Sequence, residues 1–174
     1  EGGRSVSGHE LSYSEPEKIK SIDAEYLAGR RFAYQEDASL LDDWFRMLHE
    51  QGVDMTSAFR SLSAAVRGDV DVARAHFADR ATFDSWVDRW RDEWSRRALE
   101  PETIAAAMDE VNPIYIPRNH VVEVALAAAT AGDLTLVDEL VEVVRDPFVE
   151  RPGLERFATP APSDFGPHQT FCGT

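Results

Sequence analysis

The sequence predicts an all-α block of about seven to eight helices followed by a proline-rich, extended C-terminal arm. Three observations carry that expectation. Apolar residues recur at helical spacing from about residue 37 to residue 145. Glycines, and Gly-Asp pairs at Gly68-Asp69 and Gly132-Asp133, fall where one run stops and the next begins. No convincing strand interrupts the runs: residues 114–116 are the best candidate and are too short.

Residues 1–13 are Gly/Ser-rich and aperiodic and read as a flexible lead-in. Ser14, Pro16 and Glu17 then spell a helix start, with a capping serine, a proline suited to N1 and a glutamate three positions after the cap. That helix runs to about Gly29. After Asp37, Leu40, Leu41, Trp44, Phe45 and Leu48 mark the next helix, which Gly52 stops. Asp54 opens another, with Phe59, Leu62 and Val66 on one face, ended by Gly68. Asp69 opens a short one reaching Phe77, and Thr82 a longer one reaching about Leu99. Pro101 suits N1 of the next, which must end before Asn112 because a residue preceding proline avoids the α region. Asn119 is expected to cap a helix ending at Gly132, and Asp133 to cap the last, ending near Arg145. The helical block therefore spans residues 14–145. Residues 146–174 carry Pro147, Pro152, Pro160, Pro162 and Pro167 and are not expected to be helical. Their phenylalanines Phe148, Phe157, Phe165 and Phe171 favour burial, which implies an arm laid over a surface rather than a loose tail.

The totals bound the function classes. The chain has 174 residues, 43% of them hydrophobic and 29% charged, as expected of a folded, soluble protein with a proper core. Its net charge of −14 argues against nucleic-acid partners and against an anionic membrane surface, both of which reward lysine and arginine. No apolar stretch reaches the roughly 18–20 residues of a membrane helix. Residues 1–20 lack the basic start and apolar segment of a signal peptide. The first methionine is Met47, so Glu1 is expected to be a processing site, an engineered boundary or a cut in a longer protein. The single cysteine, Cys172, rules out an internal disulfide and fits a reducing compartment, cytoplasmic if the source is bacterial, or a single special thiol.

Several constellations invite a chemical reading. Trp86, Trp90 and Trp94 lie at i, i+4 and i+8, so their indoles form one stripe on a helix. With Arg89, Arg91, Arg96 and Arg97 interleaved, the stripe imitates a stacking platform for nucleic acid. Asp84, Asp88, Asp92 and Glu93 cancel those arginines, and a core-facing stripe is the simpler reading. His120 and Glu123 stand three apart, as metal ligands in a bundle can, but the other histidines offer no matching spacing. Neither a Gly-x-Ser-x-Gly turn nor a glycine-rich phosphate loop occurs in these residues. The two Gly-Asp hairpins resemble ankyrin repeats and lie close to two periods of about 33 residues apart, yet no copy stands between them. Cys172, beside small residues near the C-terminus, is a candidate redox thiol whose reactivity depends on its pKa.

One stretch is more ornate than a turn requires. In "MDEVNPIYIPRNHVVEVALAAATAGDL", Pro113 and Pro117 bracket an apolar Ile114-Tyr115-Ile116 before Arg118-Asn119 leads into a helix. Together with "VVRDPFVERPGLERF" and a proline-rich end carrying a cysteine third from the terminus, it resembles the C-terminal region of the selenoprotein O (SelO) family. The matching positions are Met108, Asn112, Pro113, Tyr115, Ile116, Arg118, Asn119, Gly132, Asp133, Pro147, Phe148, Glu150 and Pro152, with "DMTSAFRSL" (Asp54, Thr56, Phe59, Arg60, Leu62) resembling a block upstream. The likeness covers roughly residues 37–174.

The resemblance implies the C-terminal part of a protein adenylyltransferase. Its kinase-like fold would bind ATP with Mg2+ or Mn2+ and transfer AMP to Ser, Thr or Tyr hydroxyls of other proteins. It also implies that the nucleotide ligands, metal ligands and catalytic aspartate lie upstream, so no catalytic, cofactor-binding or metal-binding residue is assigned here. This chain alone is expected to be inert, with the kinase-like domain and the protein substrates as partners. Cys172 occupies the family's redox position, and eukaryotic members would be mitochondrial. The motif Asn112, Pro113, Tyr115, Arg118 and Asn119 is expected to lock the C-terminal helical block to the rest of the enzyme, with an Arg118–phosphate contact as the alternative. Rival readings are a stand-alone helical interaction scaffold and a thiol redox module using Cys172.

Overall fold

A computed structural model describes residues 38–96 and 100–166. The expected helix over residues 14–29, the lead-in, and Cys172 and Phe171 lie outside the described residues. Among the described residues there are eight helices and no strand. They are α1 (Ala38–Gln51), α2 (Met55–Val66), α3 (Val70–Arg74), α4 (Arg80–Arg96), α5 (Pro101–Asp109), α6 (Asn119–Thr130), α7 (Thr135–Arg145) and α8 (Glu155–Ala158).

Two apolar cores form. The larger is built by α1 to α5 around Leu40, Trp44, Leu62, Phe77, Phe83 and Trp90. Trp44 is 1% exposed and touches three other rings: Phe59 edge-on at 5.6 Å, Phe77 at 5.6 Å and Trp86 at 4.5 Å. The tryptophan stripe of α4 faces inward: Trp86 and Trp90 are buried and stacked at 5.4 Å, and half-buried Trp94 packs against the same core. The Trp86 indole N–H donates to the Leu40 carbonyl at 2.8 Å, fixing α4 on α1. Arg89 pairs with Asp43 on α1 at 2.6 Å, and Arg96 with Glu93 at 2.7 Å, so these arginines serve ion pairs rather than a stacking platform. The smaller core holds Tyr115, Leu140, Val143 and Phe157, with Val121 and Val122 of α6 packed against it.

Several helix starts differ from the sequence expectation. The helix expected from Thr82 begins at Arg80, because the Asp79 carboxylate accepts from the Thr82 N–H at 3.1 Å and from its hydroxyl at 2.7 Å. Asp69 makes no side-chain cap to α3. Asn119 is not the cap of α6 but its first helical residue: Arg118 has extended backbone (φ −72°, ψ 130°), and its carbonyl accepts from Val121 and Val122 at 2.9 Å each. Asp133 accepts from the Thr135 N–H at 2.9 Å, one residue ahead of the cap position. Gly132, at φ +93°, makes the left-handed turn between α6 and α7.

The C-terminal segment also departs from the expectation that residues 146–174 carry no helix. Residues Glu155–Ala158 make a single turn in the space between Pro152 and Pro160, which buries Phe157 in the smaller core. Phe165 reaches His120, ring to ring at 5.8 Å. Phe148, expected to be buried, is exposed.

Candidate functional site: the junction between the two cores

Residues 110–118 leave α5 and carry the chain from the larger core to the smaller one. Their proline spacing keeps the segment extended, since each residue before a proline is steered out of the α region. The upstream end is held by Arg60 of α2, which donates to the carbonyls of Asp109 at 2.9 Å and Asn112 at 3.1 Å. Arg67, the C-cap of α2 about two turns beyond Arg60, grips Glu102 at 2.8 Å and Asp109 at 2.7 Å, so two arginines fasten α5 and its exit to α2.

The middle belongs to the smaller core. Tyr115 is 2% exposed. Its hydroxyl accepts from the Arg151 N–H at 2.9 Å and lies 3.3 Å from the Arg151 carbonyl, to which it donates. The N–H groups of Ile114 and Tyr115 both reach the Pro147 carbonyl, at 2.7 and 3.2 Å. The Arg151 guanidinium lies over the Tyr115 ring at 5.2 Å and donates to the carbonyls of Val143 and Asp146, at 2.5 and 3.2 Å, closing the end of α7. One tyrosine thus joins the junction, the last turn of α7 and the arm.

The downstream end turns back to the larger core. Arg118 is only 6% exposed, and its two terminal nitrogens each meet one Asp54 oxygen at 2.9 Å, a two-pronged pair. The second also lies 3.3 Å from the Ser57 hydroxyl. Asp54 is the N-cap of α2, accepting from the Ser57 N–H at 2.8 Å and from its hydroxyl at 2.6 Å. Burial pushes the Asp54 carboxyl up, but the hydrogen bonds from Arg118 and Ser57 outweigh it and hold the group at about 2.

That depression implies a pH dependence. The folded Asp54 binds its proton more weakly than the unfolded one, so its contribution is full above pH 3.8 and is lost as pH falls toward 2. The contribution is about 2 kcal/mol. Urea unfolding at pH 5 and pH 2.5 is expected to show a stability loss smaller by about 1.5 kcal/mol in Asp54→Asn than in the parent chain, since part of the contribution survives at pH 2.5. Equal losses in the two proteins would contradict this.

Chemically, the junction is a clamp. Both terminal nitrogens of Arg118 are engaged by Asp54, which leaves the phosphate contact no support in this geometry. Asn112 donates to the Phe59 carbonyl at 3.5 Å, Pro113 is half-buried and Asn119 is exposed. His120 meets Phe165, and among the described residues no group of three or more His, Cys, Asp or Glu could hold a metal ion. Sequence reasoning placed Asp54 as a helix opener but not as the partner of Arg118. The available signal was an acidic cap and a buried-type arginine, with nothing to pair them. No described helix is long and apolar enough to cross a membrane.

The family model described as "Protein adenylyltransferase SelO" matches residues 20–145. Among curated relatives, the protein nucleotidyltransferase YdiU of Mycobacterium sp. (strain KMS) is 52% identical over 137 residues, covering 79% of this chain and 27% of the relative. The protein of the same name from Mycolicibacterium paratuberculosis is 54% identical over 141 residues, again 79% of this chain and 27% of the relative. That of Bordetella pertussis is 42% identical over 127 residues, 73% of this chain and 26% of the relative. The chain therefore spans about a quarter of the length of the curated relatives it matches. With one family model running through both cores and relatives half identical to it, the chain belongs to the SelO family.

Proposed function

We propose that this chain is the C-terminal block of a longer SelO-type enzyme that transfers AMP from ATP to hydroxyl groups of other proteins. The observation that carries the reading is the family match over residues 20–145 in a chain whose match covers only 27% of its relative. In that reaction a Ser, Thr or Tyr hydroxyl oxygen attacks the α-phosphorus. The new O–P bond forms as the α–β bridge breaks, pyrophosphate leaves, and the hydroxyl proton passes to a base. Among the described residues no group of three or more His, Cys, Asp or Glu could hold a metal ion, and Arg118 is paired with Asp54. On this reading nucleotide, metal and base belong to the kinase-like lobes, and this block is their support. The cytoplasm of a bacterium is the proposed setting.

The test is label transfer. The full-length gene product, incubated with Mg2+ or Mn2+, is expected to label protein from α-labelled but not γ-labelled ATP, while the 174-residue chain labels nothing. Label arriving from the γ-position would make the enzyme a phosphotransferase and end the proposal, as would no label from either position.

A further inference from the structure

The two cores are unequally finished. Of nine large hydrophobic side chains left exposed among the described residues, six fall between residues 124 and 149: Val124, Leu126, Leu134, Val141, Phe148 and Val149. The larger core buries its apolar residues from five helices, whereas the smaller one, among the described residues, has four buried side chains. Helix α6 shows the imbalance best. Its inner face is spent on Val121, Val122 and buried Ala125. Yet Val124 is 59% and Leu126 53% exposed, and beyond His120 only Glu123 and Thr130 are polar. A helix apolar around most of its circumference belongs between two layers, and among the described residues this one meets the smaller core on one side and, elsewhere, Phe165 of the arm at His120. Val124 and Leu126 stand two residues apart, roughly 160° round the helix, so they mark the two flanks of α6 rather than one patch; with six exposed apolar side chains in one supersecondary unit, they point to a contact that wraps the hairpin.

The occupant follows from length. The relatives are nearly four times as long as this chain's match to them, so most of such a polypeptide lies outside this structure. A covalently attached neighbour meets the surface at high effective concentration, so modest contacts suffice to hold it. We infer that the outer side of the α6–α7 hairpin, with Phe148 and Val149 beyond it, is where this block seats against the upstream part of the longer polypeptide. The inference rests on the reading that such a polypeptide exists. Exposed Asp138 lies beside the surface on α7, while Glu142 is already paired with Arg145 at 2.9 Å.

The experiment uses the full-length gene product, with the 174-residue chain as comparison. A photo-crosslinking residue, Val124→p-benzoylphenylalanine, is introduced and the linked peptides are mapped. Crosslinks are expected to peptides that precede Glu1 of this chain. In parallel, Val124→Asp/Leu126→Asp should make cleavage within α6 about tenfold faster in the full-length protein and leave it unchanged in the 174-residue chain, where both side chains already face water. Crosslinks to residues 1–37, to a second copy or to nothing would overturn the proposal, as would equal acceleration in both proteins. An intact mass ending near Glu1 would also overturn it. AMP transfer is scored separately: upstream crosslinks without transfer would sink the proposed reaction and leave the docking surface standing.

Discussion

Replacing Arg118 with alanine is expected to destabilise the chain by about 3 kcal/mol, because it leaves the Asp54 carboxylate three-quarters buried without its cation. The figure lies at the low end for a broken buried pair, since Ser57 still donates two hydrogen bonds to Asp54. Arg118→Lys keeps the charge but not the fork, and is expected to lose about 1–2 kcal/mol. Urea unfolding gives the totals. A cycle with Asp54→Asn isolates the pair, which should show a coupling above about 1 kcal/mol. The loss should also be local: amide exchange in α6 and α7 should accelerate more than in α1 and α4, because the pair is what returns the junction to the larger core. Additive single and double variants, or uniform acceleration, would mean that the pair is ornamental.

Truncating Trp44 to alanine is expected to cost about 3–5 kcal/mol, the largest loss at a single position. The side chain is 1% exposed and holds Phe59, Phe77 and Trp86 in place, so its removal leaves a cavity ringed by aromatics that cannot collapse into it. Trp44→Phe should cost far less, about 1 kcal/mol. It shrinks the ring, but it also removes a buried indole N–H that has no hydrogen-bond partner among the described residues. Thermal or urea unfolding decides. If phenylalanine is as costly as alanine, shape rather than volume governs the site.

Much of this architecture was legible in the sequence because it is written locally. Pro101 opens α5 where N1 favours it, the glycines at 52, 68 and 132 stop helices by turning left-handed, and the four-residue spacing of Trp86, Trp90 and Trp94 places them together. What failed locally was the competition between neighbours. Asp79 and Thr82 both cap well, and the aspartate prevailed because its carboxylate meets both the Thr82 N–H and hydroxyl. Asn119 is a better intrinsic cap than Arg118, yet Arg118 stands in extended backbone after Pro117 with its side chain drawn to Asp54. The turn at residues 155–158 was obscured by its flanking prolines. The clamp itself was beyond local reading, since periodicity and capping rules carry no information about which acid a distant arginine will meet.

The Asp54–Arg118 pair joins positions 64 residues apart. A ribosome adding roughly 5–20 residues per second takes roughly 3–13 s to cover that gap. During synthesis Asp54 must therefore wait, holding the first turn of its own helix through Ser57, until the cation that completes it is made. The larger core can assemble in that interval, and the smaller one is added to a surface already in place. The order in which the chain is read out thus becomes the order in which its two halves are fastened.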